Sequence, residues 1–333
     1  MIKKLSSLLQ YLFFLGLGIG LIWYSSKDLT DAQVQELKDS FSHTKYLYIL
    51  PVVVSLLLAH YFRALRWRLL MEPLGYGPTR TNTFLVVLIG YLFNLLVPRL
   101  GEVMKCTMLA KYERIPADKL IGTIVAERAI DIVCLVLITL FMMVSQFELL
   151  GESMMGSLKQ MTAGKSIWRL ALTIVSAVAV ILGIRWVFNR FTRVRFLRAI
   201  RKIWIGIWRG LTSISRIRER GWFLFHTVII WFLYLISIWL GFKAFPDVQS
   251  LGANATVAIL VFGSIGMIAT QGGIGAYQFA VQKTLLLYGI SAVTGLAFGW
   301  VLWGAQTAIV LVAGMFALII LPIVNRKKAA THA

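Results

Sequence analysis

The chain has 333 residues, of which 59% are hydrophobic and 14% charged, and its mean hydropathy is +0.78. That balance excludes a soluble globular domain of this size and points to an all-α, polytopic membrane protein. A formal charge of +20 would suit nucleic acid. The basic residues, however, lie in short connectors beside apolar spans, with no RNP or zinc-finger pattern, so no nucleic-acid partner is expected.

Lys3 and Lys4 precede an apolar run over residues 6–24. A signal peptide would end in small residues, whereas Ile22-Trp23-Tyr24-Ser25-Ser26-Lys27 follows this run, so it reads as an uncleaved first span with the N-terminus inside. Further spans of about 20 residues are predicted over 46–62, 120–145, 168–188, 222–245 and 292–321, six in all. Two other apolar segments, 82–112 and 252–287, are broken by polar turns: Leu96-Val97-Pro98-Arg99-Leu100-Gly101-Glu102 and Thr270-Gln271-Gly272-Gly273-Ile274-Gly275-Ala276-Tyr277-Gln278.

Lys and Arg counts assign the sides. Connector 25–45 mixes Asp28, Asp31, Glu36 and Asp39 with Lys27, Lys38 and Lys45, and suits the outside. Arg63, Arg66, Arg68 and Arg80 put the next connector inside, as do Lys105, Lys111, Arg114 and Lys119 after the first break. Both flanks of 82–112 thus prefer the cytoplasm, which a re-entrant hairpin turning at Pro98 satisfies. Connector 146–167 is balanced and external. Connector 189–221 carries ten basic residues against Glu219 and is cytoplasmic. There Leu197, Ile200, Trp204, Ile207, Leu211 and Ile214 recur at helical spacing, as in an amphipathic helix lying in the inner headgroup plane. With 246–251 outside and Arg326-Lys327-Lys328 inside, 252–287 becomes a second re-entrant hairpin entering from the opposite face.

The order span, span, hairpin, span therefore occurs twice with opposite orientation, and the breaks fall at nearly equal distances, from residue 46 to Pro98 and from residue 222 to Gly272. This is the pattern of an inverted-topology repeat with a site where the breaks meet. The organisation reads as a first membrane repeat over 1–150, a unit over 151–221 holding an external loop, span 168–188 and the basic connector, and the rest of the second repeat over 222–333. A cytoplasmic (inner) membrane protein with both termini cytoplasmic is expected.

Charges inside spans are costly and mark candidate sites. Glu127, Arg128 and Asp131 lie within span 120–145: Glu127 and Asp131 share a helix face, and Arg128 and Asp131 are spaced to pair. Arg99 and Glu102 lie at the first break, Lys283 on the second arm of the other hairpin, and Gln271, Tyr277, Gln278 and Gln282 are hydrogen-bonding groups beside the second break. Gly272, Gly273 and Gly275 let that break turn closely, and the helix starting near Ala276 offers free N–H groups to an anion. With Arg99 or Arg128, a phosphate can be held between a guanidinium fork and backbone amides. The alternative is that Arg99 and Arg128 only neutralise Glu127, Asp131 and Glu102 and so hold the hairpins in place; the two readings are compatible.

Catalysis is not expected. Glu127 and Asp131 are paired carboxylates, but no P-loop, nucleophile elbow or DXD metal pair accompanies them. Cys106 and Cys134 suggest no disulfide framework, and the four histidines are scattered without metal-ligand spacing, so neither metal nor cofactor is anticipated.

Four ordered motifs, Arg63-Ala64-Leu65-Arg66-Trp67, Pro98-Arg99-Leu100-Gly101-Glu102, Glu127-Arg128-Ala129-Ile130-Asp131 and Gly272-Gly273-Ile274-Gly275, resemble the lysylphosphatidylglycerol synthase transmembrane, or flippase-like domain, family over about residues 8–322. The resemblance implies a membrane domain that moves a phospholipid or polyprenyl-linked lipid between leaflets. The best-known members carry aminoacylated phosphatidylglycerol and have a soluble aminoacyl-transferase domain. This chain runs to Ala333 without one, so lipid aminoacylation is not expected of it, nor the glycosyl transfer for which some relatives carry a separate domain. The partners implied are membrane lipids with an anionic head group, with room for a homo-oligomer or an envelope-lipid enzyme partner. The alternative function is a non-catalytic membrane subunit of an envelope-lipid or glycolipid system, and a third reading is small-solute or ion transport.

Overall fold

A computed structural model describes residues 2–330 except 28, 98, 148, 150 and 152–216, with side chains from Phe14 to Arg326. Predicted span 168–188, nearly all of connector 189–221, and most of the 151–221 unit lie outside the described residues. The described residues are all-helical, without a strand. The helices are α1 (Ile2–Ser26), α2 (Asp31–Ser42), α3 (Ile49–Leu69), α4 (Arg80–Leu96), α5 (Leu100–Glu113), α6 (Ala117–Ser145), α7 (Arg220–Ala244), α8 (Ala253–Ala269), α9 (Ala276–Leu286) and α10 (Ala292–Ala330).

Four helical segments among the described residues are long and apolar enough to cross a membrane: Tyr46–Leu74, Ala117–Ser145, Arg220–Ala244 and Ala292–Arg326. They coincide with four of the six predicted spans, and the first predicted span falls within α1. The two broken segments fold as helical hairpins, α4–α5 and α8–α9. Their arms run from 17 residues in α4 and α8 down to 11 in α9. At 1.5 Å per residue these are about 25 Å and about 16 Å long, shorter than a hydrocarbon core of about 30 Å.

The breaks have local causes. Val97 precedes Pro98, which disfavours helical geometry at the residue before it, and Val97 is extended (φ −141°, ψ 132°). Arg99 then turns left-handed (φ 64°) and starts α5. In the second hairpin Gly272, Gly273 and Gly275 all have positive φ, 61°, 75° and 76°, a region open to glycine at little cost. The first hairpin closes tightly because Gly101 lies on Gly90, so that a Cβ at 101 would collide with the Gly90 carbonyl and the Asn94 side chain.

Connector 25–45 contains a helix that the charge pattern does not announce. Thr30 and Gln33 form a reciprocal capping box that starts α2. Leu37 and Phe41 pack on the core of the second half, and Ser291 Oγ donates to Glu36 at 2.6 Å.

Helices that precede the stretch 152–216 pack on helices that follow it. α3 lies against α7. α4 of the first half packs on α10 of the second, and α8 of the second on α6 of the first. In the α4–α10 seam Gly314 lies on Leu92 and the Leu88 carbonyl, and buried Asn82 and Asn325 exchange amide bonds at 2.9 and 2.8 Å. In the α6–α8 seam Met142 packs on Ala258 and Val261, and Gln146 Nε2 donates to the Asn254 carbonyl at 3.0 Å.

Candidate functional site

The intramembrane charges fall into two sets. The inner set joins α3, α5 and α6. Glu127 and Asp131, four residues apart on one face of α6, meet Arg63 and Arg66, three apart on α3. Arg63 Nη1 lies 3.0 Å from Glu127 Oε1 and 2.7 Å from Asp131 Oδ2, and Arg66 Nη2 lies 2.6 Å from Asp131 Oδ1. Lys105 of α5 reaches Glu127 Oε2 at 3.1 Å, with its ammonium 4.3 Å from the centre of the Trp67 ring. Trp67 in turn donates to Thr123 Oγ1 at 2.8 Å. Arg63, Arg66, Lys105 and Glu127 are buried, and Glu127 is wholly inaccessible. Three cations around two carboxylates in an apolar bundle form a bolt: removal of Glu127 leaves Lys105, and removal of Asp131 leaves Arg66, buried without its close carboxylate.

The outer set faces a cavity of about 720 Å³ between the hairpin tips, α6, α7 and α10. Arg128 Nε lies 3.2 Å from Glu102 Oε1, and the two side chains are 39% and 35% exposed. Arg99 lines the same cavity, is exposed, and has no ion-pair partner among the described residues. Arg63 and Asp131 reach it from the inner set, and Tyr91, Trp231, Tyr234 and Tyr277 add aromatic walls. The breaks meet here. Gln271 Nε2 donates to the Asn94 carbonyl at 2.5 Å, and Trp303 Nε1 donates to the Gly272 carbonyl at 2.7 Å. The cavity wall thus carries the cations Arg63, Arg99 and Arg128 against the carboxylates Glu102 and Asp131. No group of three or more His, Cys, Asp or Glu side chains among the described residues is placed to hold a metal ion.

Residues 8–314 match the family described as the lysylphosphatidylglycerol synthase TM region, a stretch that takes in both hairpins and every member of both charge sets. The chain belongs to this family. It is a polytopic membrane protein similar to two archaeal UPF0104 membrane proteins. One, from Methanocaldococcus jannaschii, is 34% identical over 97 residues, 28% of this chain and 27% of that protein. The other, from Methanothermobacter thermautotrophicus, is 25% identical over 272 residues, 72% of this chain and 75% of that protein. The match thus spans about a quarter of the first relative and three quarters of the second. No solved structure matches.

In this family member the sequence-predicted residues separate. Arg99, Glu102, Arg128, Asp131, Gln271, Gly272 and Tyr277 line the cavity. Glu127 lies behind it in the inner set. Gly273 packs on Met267 and Gly275 on the Gly18 carbonyl of α1, so both shape the hairpin rather than the cavity wall. Gln278 is buried beside Gly299, with both amide atoms unpartnered among the described residues. Gln282 donates to the Ala292 carbonyl, and Lys283 is exposed beside the Phe279 ring.

Two sequence expectations are corrected. Asp131 does not pair with Arg128; it takes Arg63 and Arg66, and Arg128 takes Glu102. Arg63 and Arg66 do not belong to a connector, because α3 continues to Leu69 and buries both; Arg68 and Arg80 remain at that end. Lys105, likewise counted among cytoplasmic connector charges, is buried in α5. A signal for these partners is present in the chain: Arg63 and Arg66, three apart, share one helix face, as Glu127 and Asp131 do at a spacing of four.

Proposed function

We propose that this protein moves a membrane lipid with an anionic head group, a phospholipid or a polyprenyl-linked lipid, between leaflets. The observation that carries this reading is the cavity at the meeting hairpin tips, whose wall holds more cations than carboxylates and includes both Arg99, without an ion-pair partner among the described residues, and the half-exposed Arg128. A phosphate there can take bidentate bonds from a guanidinium, while the head group crosses through the polar interior and its chains stay in the bilayer. α4–α5 and α8–α9 act as re-entrant hairpins, since their arms are too short to span and interrupted helices are tolerated where they line a wet cavity. In this reading Arg99 and Arg128 engage the phosphate, Gln271 and Gly272 close the cavity floor, and Glu127 and Asp131 hold the scaffold through Arg63, Arg66 and Lys105.

The test is leaflet exchange in liposomes holding purified protein and fluorescent phosphatidylglycerol, phosphatidylethanolamine or polyprenyl phosphate. Exchange of an anionic lipid at a rate that falls at least tenfold in Arg128→Ala is the expected result. Absence of exchange with every lipid, from protein shown to be folded, would refute translocation.

A further inference from the structure

Residues of α4 and α10 and of α6 and α8 line the cavity, and the α4–α10 and α6–α8 seams differ. In the α4–α10 seam, Gly314 lies on Leu92 and the Leu88 carbonyl, and Leu92 and the cavity-lining Val310 are each only 6% exposed, so the two helices close on each other there. In the α6–α8 seam the helices run antiparallel and touch at one end, where Gln146 meets Asn254 and Met142 meets Ala258. Further along, Ile132 and Leu135 of α6 and Met267 and Ile268 of α8 line the cavity instead. Ile132 is 48% exposed there and Ile268 75% exposed. Among the described residues the helices therefore diverge into a fork with exposed apolar prongs, midway along the membrane-crossing length of α6. Arg128, Ile132 and Leu135 stand at positions i, i+4 and i+7, so one stripe of α6 runs from a cation to apolar side chains over about 10 Å of the helix.

We infer that the α6–α8 fork is a lateral portal in which one acyl chain of the lipid lies along Ile132, Leu135 and Ile268 while its phosphate is held at Arg128 and Arg99. The inference rests on the proposed translocation reading and adds to it the route of entry and the side chains that select an amphiphile over a water-soluble anion. Charge and polarity argue for this occupant. A soluble anion would be served by the arginines alone and would leave the apolar fork without use, whereas a phospholipid covers both ends of the stripe. Among the described residues the α4–α10 seam is closed, so the acyl chain enters by the α6–α8 side.

The experiment compares binding of dioleoyl phosphatidylglycerol and of glycerophosphoglycerol, its deacylated and water-soluble counterpart, to purified full-length protein. Ile132→Trp fills the fork from a position already half exposed. It should lower lipid affinity and lipid exchange at least tenfold and leave glycerophosphoglycerol affinity within twofold of wild type. Ile268→Trp, still more exposed, is the second variant and carries the test if Ile132→Trp fails to fold. Wild-type lipid exchange in the folded Trp variants, or equal loss of affinity for both probes, would overturn the portal. If wild type binds glycerophosphoglycerol through Arg128 while the Trp variants behave normally, the translocation reading stands and only the portal fails. If wild type binds neither probe, both fail.

Discussion

Gln271 hands a hydrogen bond from its side-chain amide to the main-chain carbonyl of Asn94, 177 residues away, and so ties the tip of the second hairpin to the last turn of α4 at the tip of the first. The contact joins the two halves at the floor of the cavity. A neutral hydrogen bond of this kind contributes about 1 kcal/mol net. Gln271→Ala should leave the fold intact and raise the hydrogen-exchange rates of amides 272–275 about fivefold, as about 1 kcal/mol implies. Unchanged exchange across the tip would show that the bond does not hold it.

Glu127 tests the bolt. It is fully buried between Arg63 and Lys105, so Glu127→Ala strands the buried Lys105 and leaves Arg63 with Asp131 alone. A loss of about 3–5 kcal/mol follows from breaking a buried pair, observed as a large fall in thermal midpoint or loss of monodisperse protein. A stable Glu127→Ala protein that fails only in lipid exchange would instead make Glu127 a substrate-contacting group.

Glu102 and Arg128 are partly exposed, and such pairs contribute about 1 kcal/mol or less. Their substitutions should therefore separate function from stability and move in opposite directions. Arg128→Ala should weaken binding of anionic lipid, while Glu102→Gln releases Arg128 and should strengthen it about threefold, a change of about 0.7 kcal/mol. Parallel losses in both variants would point to a structural pair.

Arg99 occupies a left-handed backbone position, which costs a side chain about 1–2 kcal/mol relative to glycine. Arg99→Gly relieves that strain and removes an unpaired cation from the cavity wall. The expected outcome is a thermal midpoint at or above wild type together with at least fivefold weaker binding of anionic lipid. Stability and binding falling together would show that Arg99 anchors the hairpin.

Both hairpins are legible in the amino-acid sequence because their breaks are written in local backbone chemistry: Pro98 acts on Val97, and Gly272, Gly273 and Gly275 accept positive φ. Glu127 and Asp131 stand out for a similar reason, as carboxylates in an apolar span that demand partners. The partners are less legible. A count along one dimension treats any arginine near the end of an apolar run as facing water, and so assigns Arg63 and Arg66 to a connector. The helix in fact continues to Leu69, and its face is turned to α6.

The sequence alone determined the membrane class, the helical content of the described residues, the two breaks and the family, because each depends on composition, on φ and ψ preferences or on ordered motifs. Which cation meets which carboxylate, and where the helices of each seam touch, were decided only by the tertiary structure. Arg128 has an acid three residues along its own helix and takes Glu102 of the first hairpin instead. Side-chain pairing follows the distances between packed helices, and those are set by the whole interlocked bundle rather than by any segment of it.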